Sequence, residues 1–281
     1  MIPHAWVEKQ VSALPLAELK QILGRQRLRI DRKQIVAYLM ALVAQQALLR
    51  HYKAIHAREP CGVGYAGFMH GLGLVAPLWR HLEARFREHQ GIEFDEITIV
   101  DSSLLPTKAE ANITRRDWDR GHATVRGSGE NRIRICGEKV LTVINGRGHI
   151  VYNRLQPAIN TPDDHVFKQP MVWATRGLRQ GVLLADRGFS NAAVRTGIAF
   201  LRKTLPGYTL ELISPPRARQ TWTLTPQQQA LYRKRWAIEE TFRQLKDPLG
   251  AYRLILAGVR RRGLRAARVA IATLAWNMGR S

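Results

Sequence analysis

The chain has 281 residues and a large excess of positive charge, with 44 Lys and Arg against 22 Asp and Glu and a formal net charge of +22. This charge predicts a polyanionic partner, and nucleic acid is the leading candidate, ahead of a basic surface kept for solubility or binding to an acidic membrane surface. The longest apolar run, residues 35–44, is shorter than the roughly 20 residues that span a bilayer. No signal-peptide pattern is present, and Cys61 and Cys136 lack CxxC spacing, so we expect a cytoplasmic protein without a structural zinc.

Residues 1–92 are predicted to form an all-helical N-terminal region. Hydrophobic periodicity indicates helices over residues 16–29, 34–53 and 68–89. Asp31 and Gln34 have the spacing of a capping box at the start of the second helix. The region is interpreted equally as a DNA-end binding unit or as a dimerisation unit. Its basic cluster could contact phosphates: Arg25, Arg27, Arg29, Arg32 and Lys33.

Residues 93–281 are predicted to form an α/β catalytic domain that ends in a basic helix. Strands are expected at residues 96–100, 139–145, 149–155 and 182–185, with further candidates at 199–203 and 209–213. A basic surface loop is expected over 106–135, and helices over 163–178, 191–195 and from Thr225 to Pro248. The C-terminal arginines between 260 and 268 are expected to face DNA. This order predicts a mixed sheet flanked by helices, similar to the ribonuclease H-like layout.

The last predicted core helix carries a polar stripe beside its apolar face. On a helix of ~100° per residue, Tyr232, Arg235, Glu239 and Lys246 fall within about 60°. One carboxylate among cations suits a site that holds a metal ion together with phosphates. The alternative is a helix-surface pair of Glu239 with Arg243 and a tyrosine that belongs to the core. The adjacent apolar face consists of Leu231, Ile238, Phe242 and Leu245.

Two aspartates directly follow predicted strands. Asp101 comes after the first strand and Asp186 after the buried strand VLLA. Ligands collect at such strand ends in open α/β sheets. Together with Glu239, these carboxylates could hold two divalent cations about 4 Å apart, as used for phosphodiester chemistry. Either aspartate alone could instead cap a turn.

These motifs together resemble those of DDE transposases of the bacterial insertion-sequence-four type. The spacing Tyr232-x2-Arg235-x3-Glu239-x6-Lys246 matches the Tyr-Arg-Glu-Lys signature of that superfamily. Asp186-Arg-Gly-Phe and Asp101-Ser-Ser resemble its second and first aspartate motifs, and the resemblance covers residues 96–255. Only 53 residues separate Asp186 from Glu239, which places the chain with the short-spacing branches and argues against a DNA-hairpin mechanism.

The resemblance implies a metal-dependent enzyme that cleaves DNA at terminal inverted repeats and joins the ends to target DNA. It implies two Mg²⁺ ions, with Mn²⁺ as a substitute, bound by Asp101, Asp186 and Glu239. It implies contacts to DNA phosphates from Tyr232, Arg235 and Lys246, with Arg243 assisting. A homodimer on paired ends, working in the bacterial nucleoid, is the corresponding assembly.

Two alternative functions accompany this interpretation. The chain could be a non-cutting transposition inhibitor or relic, or a general nuclease of the same fold. Trp222 could stack on a base, although packing is the more common role of such a residue. His149 and His165 are interpreted as ordinary polar histidines, because Mg²⁺ prefers oxygen ligands.

Overall fold

The computed structural model describes residues 2–24, 30–48, 52–58, 63–109, 122–126, 132–156, 170–189, 192–216, 222–246 and 262–281. The chain divides into two compact units, the first formed by Met1–Gln90 with Gln244–Ser281 and the second by Gly91–Arg243. The predicted boundary at residue 92 lies close to this division. The C-terminal helix differs from the prediction, because it groups with the N-terminal helices rather than with the sheet.

The described elements are as follows in chain order. The helices are α1 His4–Ala13, α2 Leu16–Ile22, α3 Arg32–Leu48, α4 Tyr52–Arg58, α5 Tyr65–His89, α6 Pro170–Thr175, α7 Ala192–Thr204, α8 Pro226–Arg233, α9 Trp236–Lys246 and α10 Arg262–Met278. The strands are β1 Ile97–Ala109, β2 His122–Arg126, β3 Arg132–Asn145, β4 Ile150–Gln156, β5 Val182–Ala185 and β6 Glu211–Ile213. None of the helices in the described ranges is long and apolar enough to cross a membrane.

The first unit is an all-helical assembly in which α3 and α10 both pack on α5. Its core is aliphatic and aromatic, and Leu39, Trp79 and Leu274 are completely buried in it. The predicted capping box begins α3: the Gln34 amide donates to Asp31 Oδ1 at 2.7 Å, and the Asp31 amide donates to Gln34 Oε1 at 3.1 Å. The predicted all-helical character is therefore confirmed, although α3 ends at Leu48 and a separate α4 follows.

Only Arg32 and Lys33 of the predicted N-terminal basic cluster are described. The Arg32 guanidinium donates to the carbonyl oxygens of Val11 at 3.2 Å, Leu14 at 2.7 Å and also Ser12 near the end of α1. Lys33 is exposed, and Arg25, Arg27 and Arg29 lie outside the described residues.

The C-terminal arginines were predicted to face DNA, and for two of them this is wrong. Arg265 and Arg268 have relative exposures of 1% and 0%. The physical reason is that α10 is buried nearly all round between Leu264 and Leu274, instead of having one apolar face. Arg260 and Arg261 lie outside the described residues.

The second unit is built on a six-stranded mixed sheet of order β2-β3-β1-β5-β6, with β4 paired to β3. β3 runs antiparallel to β1, β2 and β4, whereas β5 and β6 run parallel to β1. The predicted β3–β4 hairpin is confirmed, with Lys139 opposite Gln156 near its open end. Flanking helices complete the α/β fold that the order of elements predicted.

Three predicted elements are corrected. β1 continues through Asp101 to Ala109, and the predicted loop over 106–135 contains its end, β2 and the start of β3. Pairing with β3 explains the extension, and a register shift between Pro106 and Lys108 accommodates the proline. The candidate strand at 199–203 belongs to α7, whose buried Val194, Ile198 and Leu201 recur at helical spacing. Helix α6 covers Pro170–Thr175, while residues 163–169 lie outside the described ranges.

Candidate catalytic site

The two aspartates are placed side by side by the pairing of β1 with β5. The parallel register ends with Val100 opposite Ala185, so Asp101 and Asp186 come next on neighbouring strands. β1 does not end there, because Asp101 is also paired with Thr142 on β3. The carboxyl end of β5 and the middle of β1 thus bring both carboxylates to one edge of the β1–β5 pair, where ligands bind in open α/β sheets.

Backbone amides hold both carboxylates in place. The Ser102 amide donates to Asp101 Oδ1 at 2.7 Å, and the Gly188 amide donates to Asp186 Oδ1 at 2.7 Å within the 3-10 turn Arg187–Phe189. Such bonds fix the direction of each carboxylate.

Ser214 supports the second aspartate and was missed by sequence reasoning. It follows β6 directly, is 2% exposed, and donates its hydroxyl to the main-chain oxygen of Asp186 at 2.6 Å. The Ser214 carbonyl in turn accepts from Arg195 Nη2 at 3.0 Å, so α7 is tied to the same turn. The only sign of Ser214's role in the sequence is that Ser214 comes immediately after a predicted strand.

The third acidic residue comes from the helical segment 226–246, which begins as predicted. Thr225 Oγ1 accepts from the Gln228 amide at 3.2 Å, the Gln228 side chain accepts from the Thr225 amide at 3.1 Å, and Pro226 occupies the first turn. The segment is not one continuous α-helix, however. α8 ends at Arg233 and α9 begins at Trp236.

The junction between α8 and α9 is wound more tightly than an α-helix. The amides of Lys234, Arg235, Ala237 and Ile238 each donate to the carbonyl three residues earlier. Side chains three residues apart are eclipsed in this geometry. Tyr232 and Arg235 therefore lie one above the other, with the Arg235 guanidinium carbon 6.0 Å from the Tyr232 ring centroid.

Arg235 joins two of the predicted catalytic carboxylates. Its Nη1 lies 3.0 Å from Asp101 Oδ2, and its Nη2 lies 2.7 Å from Glu239 Oε1. The side chains of Arg235 and Asp101 are 21% and 16% exposed, whereas that of Glu239 is 50% exposed. One guanidinium thus bridges the sheet and the helix.

The pKa shifts record how closely these groups interact. Burial lowers the pKa of Arg235, but the negative charges of Asp101, Glu239 and Asp186, together with Tyr232, raise it above its ordinary value. Burial also raises the pKa of Tyr232, and Asp186 and Asp101 add to this rise while Arg235 opposes it. All five predicted residues of this group therefore share one electrostatic environment.

The remaining predicted residues lie differently. Arg243 does not pair with Glu239, because its Nε and Nη2 donate to Glu240 at 2.7 and 2.6 Å. Lys246 is the last residue of α9, and its side chain lies outside the described residues. Trp222 packs edge-to-face on Tyr232 with 4.8 Å between ring centroids and keeps 38% exposure.

Of the two histidines considered from the sequence, only His149 is described. His149 lies in the β3–β4 turn, where its amide donates to Asn145 Oδ1 at 2.9 Å. His165 lies outside the described residues. Among the described residues, the predicted groups that share this site are carboxylates, one arginine and one tyrosine.

The carboxylates fit a cation in their chemistry. Oxygen ligands suit Mg²⁺ and Mn²⁺, and the positively charged guanidinium between Asp101 and Glu239 stands in for such an ion. Over the described ranges, no three His, Cys, Asp or Glu side chains are close enough together to form a metal site in this arrangement.

Comparison with known families identifies the class of protein that this fold and site define. The model of the family described as Transposase DDE domain matches residues 92–278, more than half of the chain. The chain therefore belongs to the DDE-domain transposases.

Comparison with solved structures agrees on the fold. A cryo-EM structure of the piggyBac transposase synaptic complex with hairpin DNA matches with a TM-score of 0.53 and 9% identity, over 99% of this chain and 76% of that chain. This likeness identifies the mixed sheet as a transposase ribonuclease H-like fold. The Mos1 transposase paired-end complex with left transposon end matches over 90% of this chain and 80% of that chain, with 13% identity and a TM-score of only 0.26. A search of curated proteins finds no match.

Proposed function

We propose that this transposase cleaves DNA strands at the ends of its element and transfers the freed 3′ ends into target DNA. We further assign it to the insertion-sequence-four type with the Tyr-Arg-Glu-Lys signature. One observation carries the proposal. Asp101 and Asp186 directly follow Val100 and Ala185, the last residues that β1 and β5 pair with each other, and Arg235 links Asp101 to Glu239. Arg235 thus links acidic side chains of a strand and a helix, and Asp186 follows the strand that pairs with the first. Acidic ligands are what a cation-dependent phosphodiester reaction requires.

In the proposed reaction, Asp101, Asp186 and Glu239 hold two divalent cations, Mg²⁺ or Mn²⁺. When bound, such cations lower the pKa of an attacking hydroxyl or water and neutralise charge on the leaving oxygen. The chain's own contribution is to fix the ligands. Backbone amides of Ser102 and Gly188 already orient two of the carboxylates.

The cationic residues are proposed to position DNA through its phosphates. Arg235 has the planar, five-donor group that matches a phosphate, and Tyr232 lies beside it. Lys246 and Arg243 follow along α9, Arg243 being 67% exposed. Contacts of this kind fix the register of DNA without reading its sequence, and the net charge of +22 supplies the long-range attraction.

The proposed assembly is a homodimer on paired terminal inverted repeats, acting in the bacterial nucleoid. The matched piggyBac transposase structure is a synaptic complex, which supports this proposal. Residues 1–92 are proposed to bind the element's ends or to mediate dimerisation. A short interval between Asp186 and Glu239 favours a reaction without a DNA hairpin.

Substitution of the acidic residues tests the catalytic assignment. Asp101→Asn, Asp186→Asn and Glu239→Gln should each abolish strand cleavage in Mg²⁺ and Mn²⁺, while band shifts of end-containing DNA stay largely unchanged. Glu240→Gln is the matched control, since this neighbour on α9 pairs with Arg243, and it should cleave normally. Wild-type cleavage by any one of the three variants would remove that residue from the assignment.

The same assays separate the rival functions. Binding by the wild-type protein without nicking in either metal would favour a transposition inhibitor or relic. Cleavage without preference for the element's ends would favour a general nuclease.

Salt dependence tests the phosphate contacts. Arg235→Ala and Lys246→Ala should each weaken DNA binding and reduce the slope of log affinity against log salt by about one unit. A slope equal to that of wild type would contradict a phosphate contact at that residue.

A further inference from the structure

Arg235 lies in the site in a way that its proposed contact with DNA does not explain. Its two terminal nitrogens bond Asp101 Oδ2 and Glu239 Oε1. Those carboxylates are the ones that the proposed reaction assigns to cations. The same oxygens cannot donate fully to a divalent cation while they accept charge-assisted hydrogen bonds from a guanidinium.

The charge of Arg235 opposes cation binding as well. A guanidinium within hydrogen-bond distance of both carboxylates would lie only a few ångströms from a bound divalent ion. Like charges this close repel, and screening by water is reduced on the Asp101 side, where the side chains of Arg235 and Asp101 are 21% and 16% exposed. The carboxylates can therefore exchange Arg235 for a cation, but they cannot hold both at these positions.

The surroundings of Arg235 supply a route out of this position. It sits at the tightly wound α8–α9 junction and is 21% exposed, and its partner Glu239 is half exposed. A phosphate offers a guanidinium the same paired oxygen acceptors as a carboxylate. A DNA backbone that reaches this edge of the sheet competes directly with Asp101 and Glu239 for Arg235.

We propose that Arg235 is a gate on the catalytic carboxylates, an inference that rests on the proposed function. Without DNA it holds Asp101 and Glu239 and keeps divalent cations out. A DNA phosphate draws Arg235 away and leaves both carboxylates to the cations. DNA and cations then bind with positive cooperativity, and by linkage each raises the affinity of the other by the same factor.

Mn²⁺ binding to the DNA-free protein, measured by electron paramagnetic resonance of the free ion, tests the gate without any catalytic readout. Arg235→Gln should bind Mn²⁺ about tenfold more tightly than wild type, because one charge and two hydrogen bonds are removed. Arg235→Lys, which keeps the charge but cannot bridge both carboxylates, should lie between. Arg233→Gln is the matched control: it removes an exposed cation two residues away and should resemble wild type. Circular dichroism and thermal melting confirm that each variant is folded.

A duplex of about 30 base pairs at low salt tests the second half of the gate, because backbone contacts do not depend on sequence. Mn²⁺ bound by the duplex itself is subtracted by using Asp101→Asn protein with the same duplex. DNA should raise the Mn²⁺ affinity of the wild type severalfold and that of Arg235→Gln hardly at all.

The outcomes distinguish the gate from the proposed function. The gate is overturned if the DNA-free Arg235→Gln variant binds no Mn²⁺, or binds it no more tightly than the Arg233→Gln variant does. If the triad variants still lose cleavage, the proposed function stands in that case. Adding Asp101→Asn to Arg235→Gln should remove the gained binding. If it does not, the cation is bound elsewhere, and both the gate and the assignment of Asp101 as a ligand are wrong.

Discussion

Gly181 controls how closely β5 can approach β1, and so how closely Asp186 approaches Asp101. It has φ +81°, and a Cβ added there would lie 2.4 Å from the main-chain oxygen of Glu96. The Val182 amide donates to that oxygen at 2.8 Å, directly before the paired part of the two strands. Gly181→Ala should therefore push the start of β5 away from β1.

The expected loss of stability in Gly181→Ala has two separate causes. A non-glycine residue in the left-handed region costs about 1 kcal/mol. Ordinary contact begins at 3.4 Å, so the backbone must also move by about 1 Å, which weakens the bond between the Val182 amide and Glu96 and costs a further ~1 to 3 kcal/mol. We expect Gly181→Ala to lower the free energy of unfolding by about 3 kcal/mol in total.

Gly207→Ala is the matched control, because it has the cost of the left-handed backbone conformation without a steric clash. Gly207 has φ +74°, and a Cβ added there would meet no atom within 4 Å beyond its own chain neighbours. Urea denaturation followed by circular dichroism should give a loss of about 1 kcal/mol for this variant. Equal losses for the two alanine variants would refute the argument that close approach to Glu96 fixes the β1–β5 pairing.

Three further predictions concern single side chains. Ser214→Ala should lower stability by about 1 to 2 kcal/mol and slow cleavage, since the Asp186 carbonyl loses a buried donor at 2.6 Å; Ser281→Ala, which removes an exposed hydroxyl, should do neither in the same urea and cleavage assays. Burial raises the pKa of Tyr208 from 10.0 to about 12, against the opposing charge of Arg202. The contribution of the neutral Tyr208 side chain to the free energy of unfolding is therefore complete below pH 10, and it is lost as the pH rises from there towards 12. Urea midpoints at about pH 8 and pH 11 should fall further for wild type than for Tyr208→Phe, and an equal fall would contradict this. Thr225→Ala should cost about 1 kcal/mol in urea melts by removing the α8 cap, and Thr225→Ser should restore most of it.

The sequence predicted those parts of the fold whose signals are local. Strand β5 is a short apolar run that ends at an aspartate, and the β3–β4 hairpin alternates around a Gly-Arg-Gly turn. Thr225 and Pro226 mark the start of α8 by cap chemistry alone. The placement of Asp101 beside Asp186 was expected only on the condition that the first and fourth predicted strands pair, and β1 and β5 do pair.

The parts that the sequence did not predict depend on partners distant along the chain. β1 extends past Asp101 only because β3 pairs with it, and no local pattern shows this across Pro106. Arg265 and Arg268 look like a surface cluster until α10 is surrounded by other helices. Ser214 acts through a single hydrogen bond to a main-chain oxygen, which leaves no periodic pattern in the sequence.

The stripe from Tyr232 to Lys246 was predicted on one continuous α-helix, and the structure has a different geometry at its start. A continuous α-helix places Tyr232 and Arg235 about 60° apart. The tight junction instead eclipses them, and this allows Arg235 to contact Asp101 on the sheet while Glu239, one α-helical turn later, contacts its other nitrogen. Arg243, which the uniform helix put on the same stripe, pairs with Glu240 instead. The spacing of the motif therefore reflects a change of helical winding at Arg235, and a substitution that restores regular α-helix there should separate Arg235 from Asp101 without altering any residue of the site.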